Sequence, residues 1–126
     1  MNFQKVGPLI VVGMWVSIVG TVRLSAHHSM VMYDQQKNLT ISGVVKRIEF
    51  KNPHSMFTIS VSDAQGNEVE WVLESQPLAT LTSYGWAEST MKLGDKVTAI
   101  GYPARNGKPA MLVRAIQLPD ARTIKT

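Results

Sequence analysis

From residue 39 onward, apolar and polar residues alternate with a period close to two, the mark of half-buried β-strands. Leu39 and Ile41 share one face, and after Gly43 the apolar set moves to Val44, Ile48 and Phe50. A change of parity at a glycine predicts a bulge and a bend there. Pro53 closes this long first strand, since proline cannot donate to a ladder. A second strand is expected over 55–62, with Phe57, Ile59 and Val61 inward and Thr58, Ser60 and Ser62 outward. The run 63–67, Asp-Ala-Gln-Gly-Asn, has the composition of a hairpin loop. A third strand then sets Val69, Trp71 and Leu73 against Glu68, Glu70 and Glu74, which predicts one buried face and one wet, acidic face.

The pattern changes at residue 75. Ser75 or Gln76 precedes Pro77, which suits a first helical turn, and Leu78, Leu81 and Tyr84 share a side before Gly85 can stop the helix. Trp86 is expected to pack just beyond it. Leu93-Gly94-Asp95 forms a turn, a fourth strand covers 96–102, and Asn106-Gly107 lies in the loop to a fifth strand over 110–118. The tail 119–126 reads as a short ordered strand or a loose end. The chain is thus all-β with one helix, in the order βββαββ. A long bent first strand and a helix between strands three and four match a small five-stranded Greek-key barrel of the oligonucleotide/oligosaccharide-binding (OB) kind. An unrelated small β-sandwich or roll is the competing architecture.

The first 26 residues follow different rules. Lys5 supplies a charged start, residues 6–22 are apolar apart from Ser17 and Thr21, and Ala26 gives a small-residue exit. This is a signal-peptide layout, and cleavage after Ala26 is expected. The fit has two blemishes, Leu24 in place of a small residue and Arg23 after the apolar run. An uncleaved anchor at 6–22 is the alternative, at the lower limit of the roughly 17–25 apolar residues that span a bilayer. The resulting division is a signal peptide at 1–26, an N-terminal arm at 27–38, a barrel domain at 39–120 and a tail at 121–126.

Processing changes the charge. It takes Lys5 and Arg23 but no acid, so the formal charge falls from +4 to +2. The absence of cysteine removes disulfides and thiolate metal sites, and for an exported chain it points to a periplasm rather than a disulfide-stapled secreted scaffold. One modest core and one domain suit the remaining 100 residues.

Ala26-His27-His28-Ser29, followed by Tyr33-Asp34, resembles the opening of a family of small exported bacterial proteins. The likeness continues through Gly43-Val44-Val45, Asn52-Pro53-His54, Trp71, Gly85-Trp86 and Leu93-Gly94-Asp95-Lys96-Val97 to Gln117-Leu118-Pro119-Asp120. It covers residues 26–120. That family is a domain of unknown function, so the resemblance implies export and fold and brings no activity. Ser55-Met56 after Asn-Pro-His departs from the small or aromatic residue usual there.

Candidate chemistry gathers at the three histidines. Cleavage after Ala26 would expose His27 as a free amino terminus, giving an amine and an imidazole from one residue, with the His28 imidazole beside them. His54 falls in the loop after the first strand, on the ligand rim of an OB barrel. Ten residues separate His28 from Leu39, enough for the arm to fold onto that rim. An amine and two imidazoles form a T-shaped nitrogen set that suits Cu(II), with zinc as the alternative. Met30, Met32 and Met56 are candidate soft ligands for Cu(I), and in an extended arm His28, Met30 and Met32 would point to one side. Asp34 would add an oxygen ligand or fix an imidazole tautomer. The competing readings are a polar flexible start for the histidine pair, a turn cap for His54 and ordinary packing for the methionines.

Enzyme constellations are weak. Ser29 beside the histidines has no triad order, Glu68, Glu70 and Glu74 read as solvated, and phosphate-loop or zinc-protease motifs are missing. The expectation is a binding protein rather than an enzyme: an exported periplasmic metal-handling module, or alternatively a non-metal periplasmic adaptor. Nucleic acid is set aside as a partner, because the mature charge is +2 and only Trp86 and Tyr102 remain as surface aromatics. Lys46, Arg47 and Lys51 form a small basic cluster that reads as a solvated face. A membrane is expected to be met only through an uncleaved 6–22 segment.

Overall fold

The computed structural model describes residues 30–126. Among these residues six strands and one helix follow in the order β1 (Leu39–Glu49), β2 (Met56–Ser62), β3 (Glu68–Glu74), α1 (Leu78–Ser83), β4 (Lys96–Pro103), β5 (Ala110–Gln117) and β6 (Thr123–Lys125). Hydrogen-bonded neighbours run β3-β2-β1-β4-β5-β6, and a parallel β3–β5 pairing closes the first five strands into a barrel. Closure removes the two open edges that a five-stranded sheet would present. The expected five-stranded barrel with a helix after its third strand is therefore present. The tail adds a short sixth strand on β5, pairing Ile116 with Ile124.

The bend in β1 lies three residues later than the parity change suggests. Val45, not Val44, is buried, so residues 39–45 keep one inward face. Val45 pairs with Ile59 and Arg47 with Thr58, which makes Lys46 the extra residue of the bulge. Gly43 serves close approach instead: a Cβ there would run into the Ser60 carbonyl. The second strand alternates as expected, yet its outward Thr58 and Ser60 are also buried. Glu68 reaches across from β3 to accept hydrogen bonds from both Ser60 and Ser62, covering that face.

Phe57, Ile59, Leu73, Met111 and Ile116 fill the barrel, and Leu81 plugs one end from α1. Leu78 and Tyr84, expected on the buried side of the helix, are exposed. Six residues make less than two turns, so one inward position is all that α1 can offer. Gly85, at φ +94°, takes the chain out of the helix in a conformation that side chains with a Cβ resist. The chain then delivers Trp86 into the core. Its ring stacks on Phe57 at 5.4 Å and meets the edge of Phe50 at 6.2 Å, and Nε1 donates to the Lys125 carbonyl at 2.6 Å. Trp86 is thus no surface aromatic, whereas Tyr102 is half-exposed as expected. Among the described residues, no helix is long and apolar enough to cross a membrane. The 6–22 segment and the cleavage junction lie outside them.

Candidate functional site

The β1–β2 loop, residues 50–55, carries a cis Asn52–Pro53 peptide and then His54. Its exit is fastened to the turn between β3 and α1. Ser55 N donates to Gln76 O at 3.1 Å, and Ser75 N donates to Ser55 O at 2.9 Å. These bonds extend the β2–β3 ladder past the strand ends and hold His54 against the last residue of β3. The His54 ring is 27% exposed, and its Nδ1 lies 3.3 Å from the Ser75 carbonyl and 3.4 Å from Glu74 Oε1. A carbonyl oxygen can only accept, so this geometry assigns the proton to Nδ1. In the neutral ring Nε2 then carries the lone pair and is the nitrogen that a ligand would meet. The Ser75 hydroxyl is buried at the same turn without a hydrogen-bond partner among the described residues.

Glu74 holds a second group. The Tyr33 hydroxyl donates to Glu74 Oε2 at 2.7 Å, so one carboxylate, itself 12% exposed, faces both the arm and the rim histidine. Burial, the hydrogen bond to Glu74 and its negative charge all hold the Tyr33 phenol well above its ordinary pKa. The wet, solvated role expected of Glu74 does not hold, because the arm covers the end of its strand. Glu68 is likewise engaged rather than free, and Glu70 stays exposed.

The arm is sewn onto the β4–β5 hairpin. Tyr33 bridges Ala104, Asp34 N donates to Pro103 O at 2.9 Å, and Arg105 N donates to Met32 O at 2.9 Å. Asp34 lies 3.4 Å from Lys37 Nζ and 3.7 Å from Arg105 Nη1. Partial burial opposes its ionisation but is outweighed by the Gln36 amide, Lys37 and Arg105, which hold its carboxyl below the usual range. Asp34 therefore clamps the arm, and Glu74 is the carboxylate beside the rim imidazole.

The arm is not extended at its first described residues. Met30 and Val31 form a helical turn, closed by Tyr33 N to Met30 O at 3.4 Å. Met30 is 46% exposed and Met32 59% exposed, so neither is core. Met56 is half-buried and sits directly opposite Glu74 across the β2–β3 ladder, on the face of the rim cluster. His27 and His28 lie outside the described residues. Among the described residues, no group of three or more His, Asp or Glu side chains is placed to hold a metal ion. His54 with its neighbours is therefore a partial donor set. Of the small basic cluster, Lys51 stands 3.7 Å from Glu49, and the charge of Lys46 acts on Glu68.

The fold and the motifs place the protein in a class and then in a family. It is a small OB-like barrel. Residues 16–113 match the model of a family of unknown function, DUF6152, and the chain belongs to that family. Among curated proteins none matches. A solved structure with a similar fold is the mitochondrial single-stranded DNA binding protein Rim1 of S. cerevisiae. It is 10% identical, with a TM-score of 0.51, and the alignment covers 66% of this chain and 93% of that one. At that identity the likeness establishes the fold alone. It nevertheless corrects the partner expectation of a metal ion or periplasmic protein with nucleic acid excluded. The neighbour is named for single-stranded DNA binding, so the exclusion does not hold. A formal charge of +2 is the sum over residues 27–126 and does not describe any one surface of the barrel.

Proposed function

We propose that the protein is an exported OB-like binding domain that handles copper, using the processed His27 terminus together with His54. His27 would supply its amine and imidazole, His54 its Nε2, and His28 an accessory imidazole. The observation that carries this reading is the Nδ1 contact of His54 with Glu74 and the Ser75 carbonyl. A metal-bound imidazole almost always donates its other N–H to a carboxylate or carbonyl, which fixes the tautomer and raises its basicity. The Tyr33–Glu74 bond supports the reading as well, because it ties the arm to the carboxylate that orients His54. Five residues lie between His27 and Tyr33, and the three steps from His27 to Met30 can span up to about 10 Å when extended.

Met30 and Met32 are exposed and so available as ligands, and Met56 stands beside the cluster. Sulfur with nitrogen suits copper in both oxidation states, whereas zinc would use the nitrogens alone. The periplasm is the proposed compartment, following from the signal layout of residues 1–26.

Two measurements test this. The intact mass of the exported protein should correspond to a chain beginning at His27. Competition titration with Cu(II) should then give tight one-to-one binding that falls at least about a hundredfold when the His27 α-amine is acetylated, since the terminal amine is lost as a ligand. Equal affinity with the amine free and acetylated would overturn the proposal.

A further inference from the structure

A second region of the molecule has a different chemistry. On the outer face of β4 and β5 lies a groove of about 710 Å³, bounded by Met30 of the arm, Tyr84 after α1 and Lys125 of β6. That volume is within the roughly 300–1,000 Å³ that accommodates small organic ligands. Two cations, Arg114 and Lys125, and two tyrosines, Tyr84 and Tyr102, line it, and none of its lining residues is an aspartate or glutamate.

The strand pairing shows how the groove is made. Ile100 pairs with Ala115 and Gly101 with Val113, so Arg114 is the extra residue of a bulge in β5. Bulges re-aim a side chain out of the regular ladder. Here the guanidinium comes to lie over Tyr102, its carbon 5.2 Å from the ring centroid, with Nη1 donating to the phenol oxygen. Gly101 lets the strands close at this point, because a Cβ there would run into the Leu112 carbonyl. The β6 wall is pinned from two sides, by Trp86 Nε1 on Lys125 O and by Thr126 Oγ1 donating to Val113 O at 2.7 Å. A cation on an aromatic shelf, a second cation and an exposed second tyrosine, with no aspartate or glutamate side chain in the lining, are complementary to a planar ring that bears negative charge.

We infer that this groove is a binding site for a small aromatic anion, its ring against Tyr102 and Tyr84 and its charge shared by Arg114 and Lys125. The proposal does not depend on copper at the rim. Amide chemical shifts of the intact protein, followed during titration with adenosine monophosphate, test it. Saturable shifts are expected at residues 100–102, 112–115 and 125. Adenosine, which lacks the charge, and inorganic phosphate, which lacks the ring, should each bind at least about tenfold more weakly. Arg114→Met should weaken binding about tenfold, the loss expected from one charge-assisted contact, and Lys125→Met should weaken it less. Both side chains are exposed, so the fold should persist. Non-saturating shifts with the mononucleotide, or unchanged binding by Arg114→Met, would overturn the assignment. So would a thymidine oligonucleotide that binds far more tightly than the mononucleotide and spreads its shifts well beyond the groove, since a single-stranded polymer would then be the ligand.

Discussion

The rim and the groove are made of similar parts and arrive at opposite chemistries. Each joins a tyrosine to a charged group on another segment: Tyr33 to Glu74 at the rim, Tyr102 to Arg114 on the adjacent strand in the groove. At the rim the shared charge is a carboxylate, mostly covered, that faces an imidazole. In the groove it is an exposed guanidinium with no aspartate or glutamate side chain among the neighbouring lining residues. The first arrangement raises the donor strength of a nitrogen toward cations, and the second attracts anions. The barrel's local irregularities decide which is which, by choosing where a strand end is covered and where a bulge turns a side chain outward. A fold name therefore carries little information about the ligand.

Substitutions can separate the two regions. Trp86→Ala should have the largest effect, because Trp86 roots both. Its ring packs on Phe50 and Phe57 beneath the rim loop, and its Nε1 holds β6 at the groove. A loss of about 3–5 kcal/mol in chemical denaturation is expected for such a truncation. A loss below about 1 kcal/mol would mean that the two regions do not share this support.

Glu74→Gln should act on the rim alone. It should lower metal affinity about 10–100-fold, the usual cost of losing an outer carboxylate, and leave binding of the aromatic anion unchanged. An equal effect on both ligands would collapse the distinction.

Tyr33→Phe removes the hydrogen bond from the arm and should cost about 1–3 kcal/mol, as Glu74 loses a donor in a covered place. It also carries a pH signature. A pKa raised in the folded state contributes stability that is fully present below the ordinary tyrosine value of about 10 and is lost as pH rises above it. Denaturation curves of the native protein should therefore lose stability at alkaline pH, and Tyr33→Phe should flatten that limb. An unchanged alkaline limb would show that Tyr33 is not covered as described.

Asp63→Ala should be the smallest change. The Asn67 side chain and amide, with further backbone amides of the β2–β3 turn, hold this carboxyl below its ordinary value. Its contribution is present above about pH 4 and lost as pH falls through the lowered folded value. The variant should soften the acid limb of stability while both ligand sites bind as before.

Much of the barrel was legible in the alternation, because strands whose one face is buried must alternate. The three strands, short helix and two strands fall where periodicity and turn residues put them, and Asn106-Gly107 lies in the β4–β5 loop as its composition suggests. The bulges were harder to locate. Gly43 drew the first one to itself, yet Lys46, with nothing unusual in its chemistry, is the extra residue. Arg114 gave no signal either, since a bulge is a property of the pairing between two strands. The role of Glu74 was hidden for a related reason. Alternation assigned it to the wet side of β3, and only the arm, 41 residues away in sequence, covers it. His54 was legible as a loop residue because it follows a proline that cannot continue a strand, although β1 already ends at Glu49, while its orienting carboxylate was sought in Asp34, which binds Lys37 and Arg105 instead.

The account turns on the Nε2 of His54 taking a metal while Nδ1 stays on Glu74. Electron paramagnetic resonance of the Cu(II)-loaded protein beginning at His27, compared with its His54→Ala variant, tests this most directly. The account predicts nitrogen hyperfine structure from the amine and imidazoles, with one imidazole contribution missing in the variant. Identical spectra from the two proteins would contradict it.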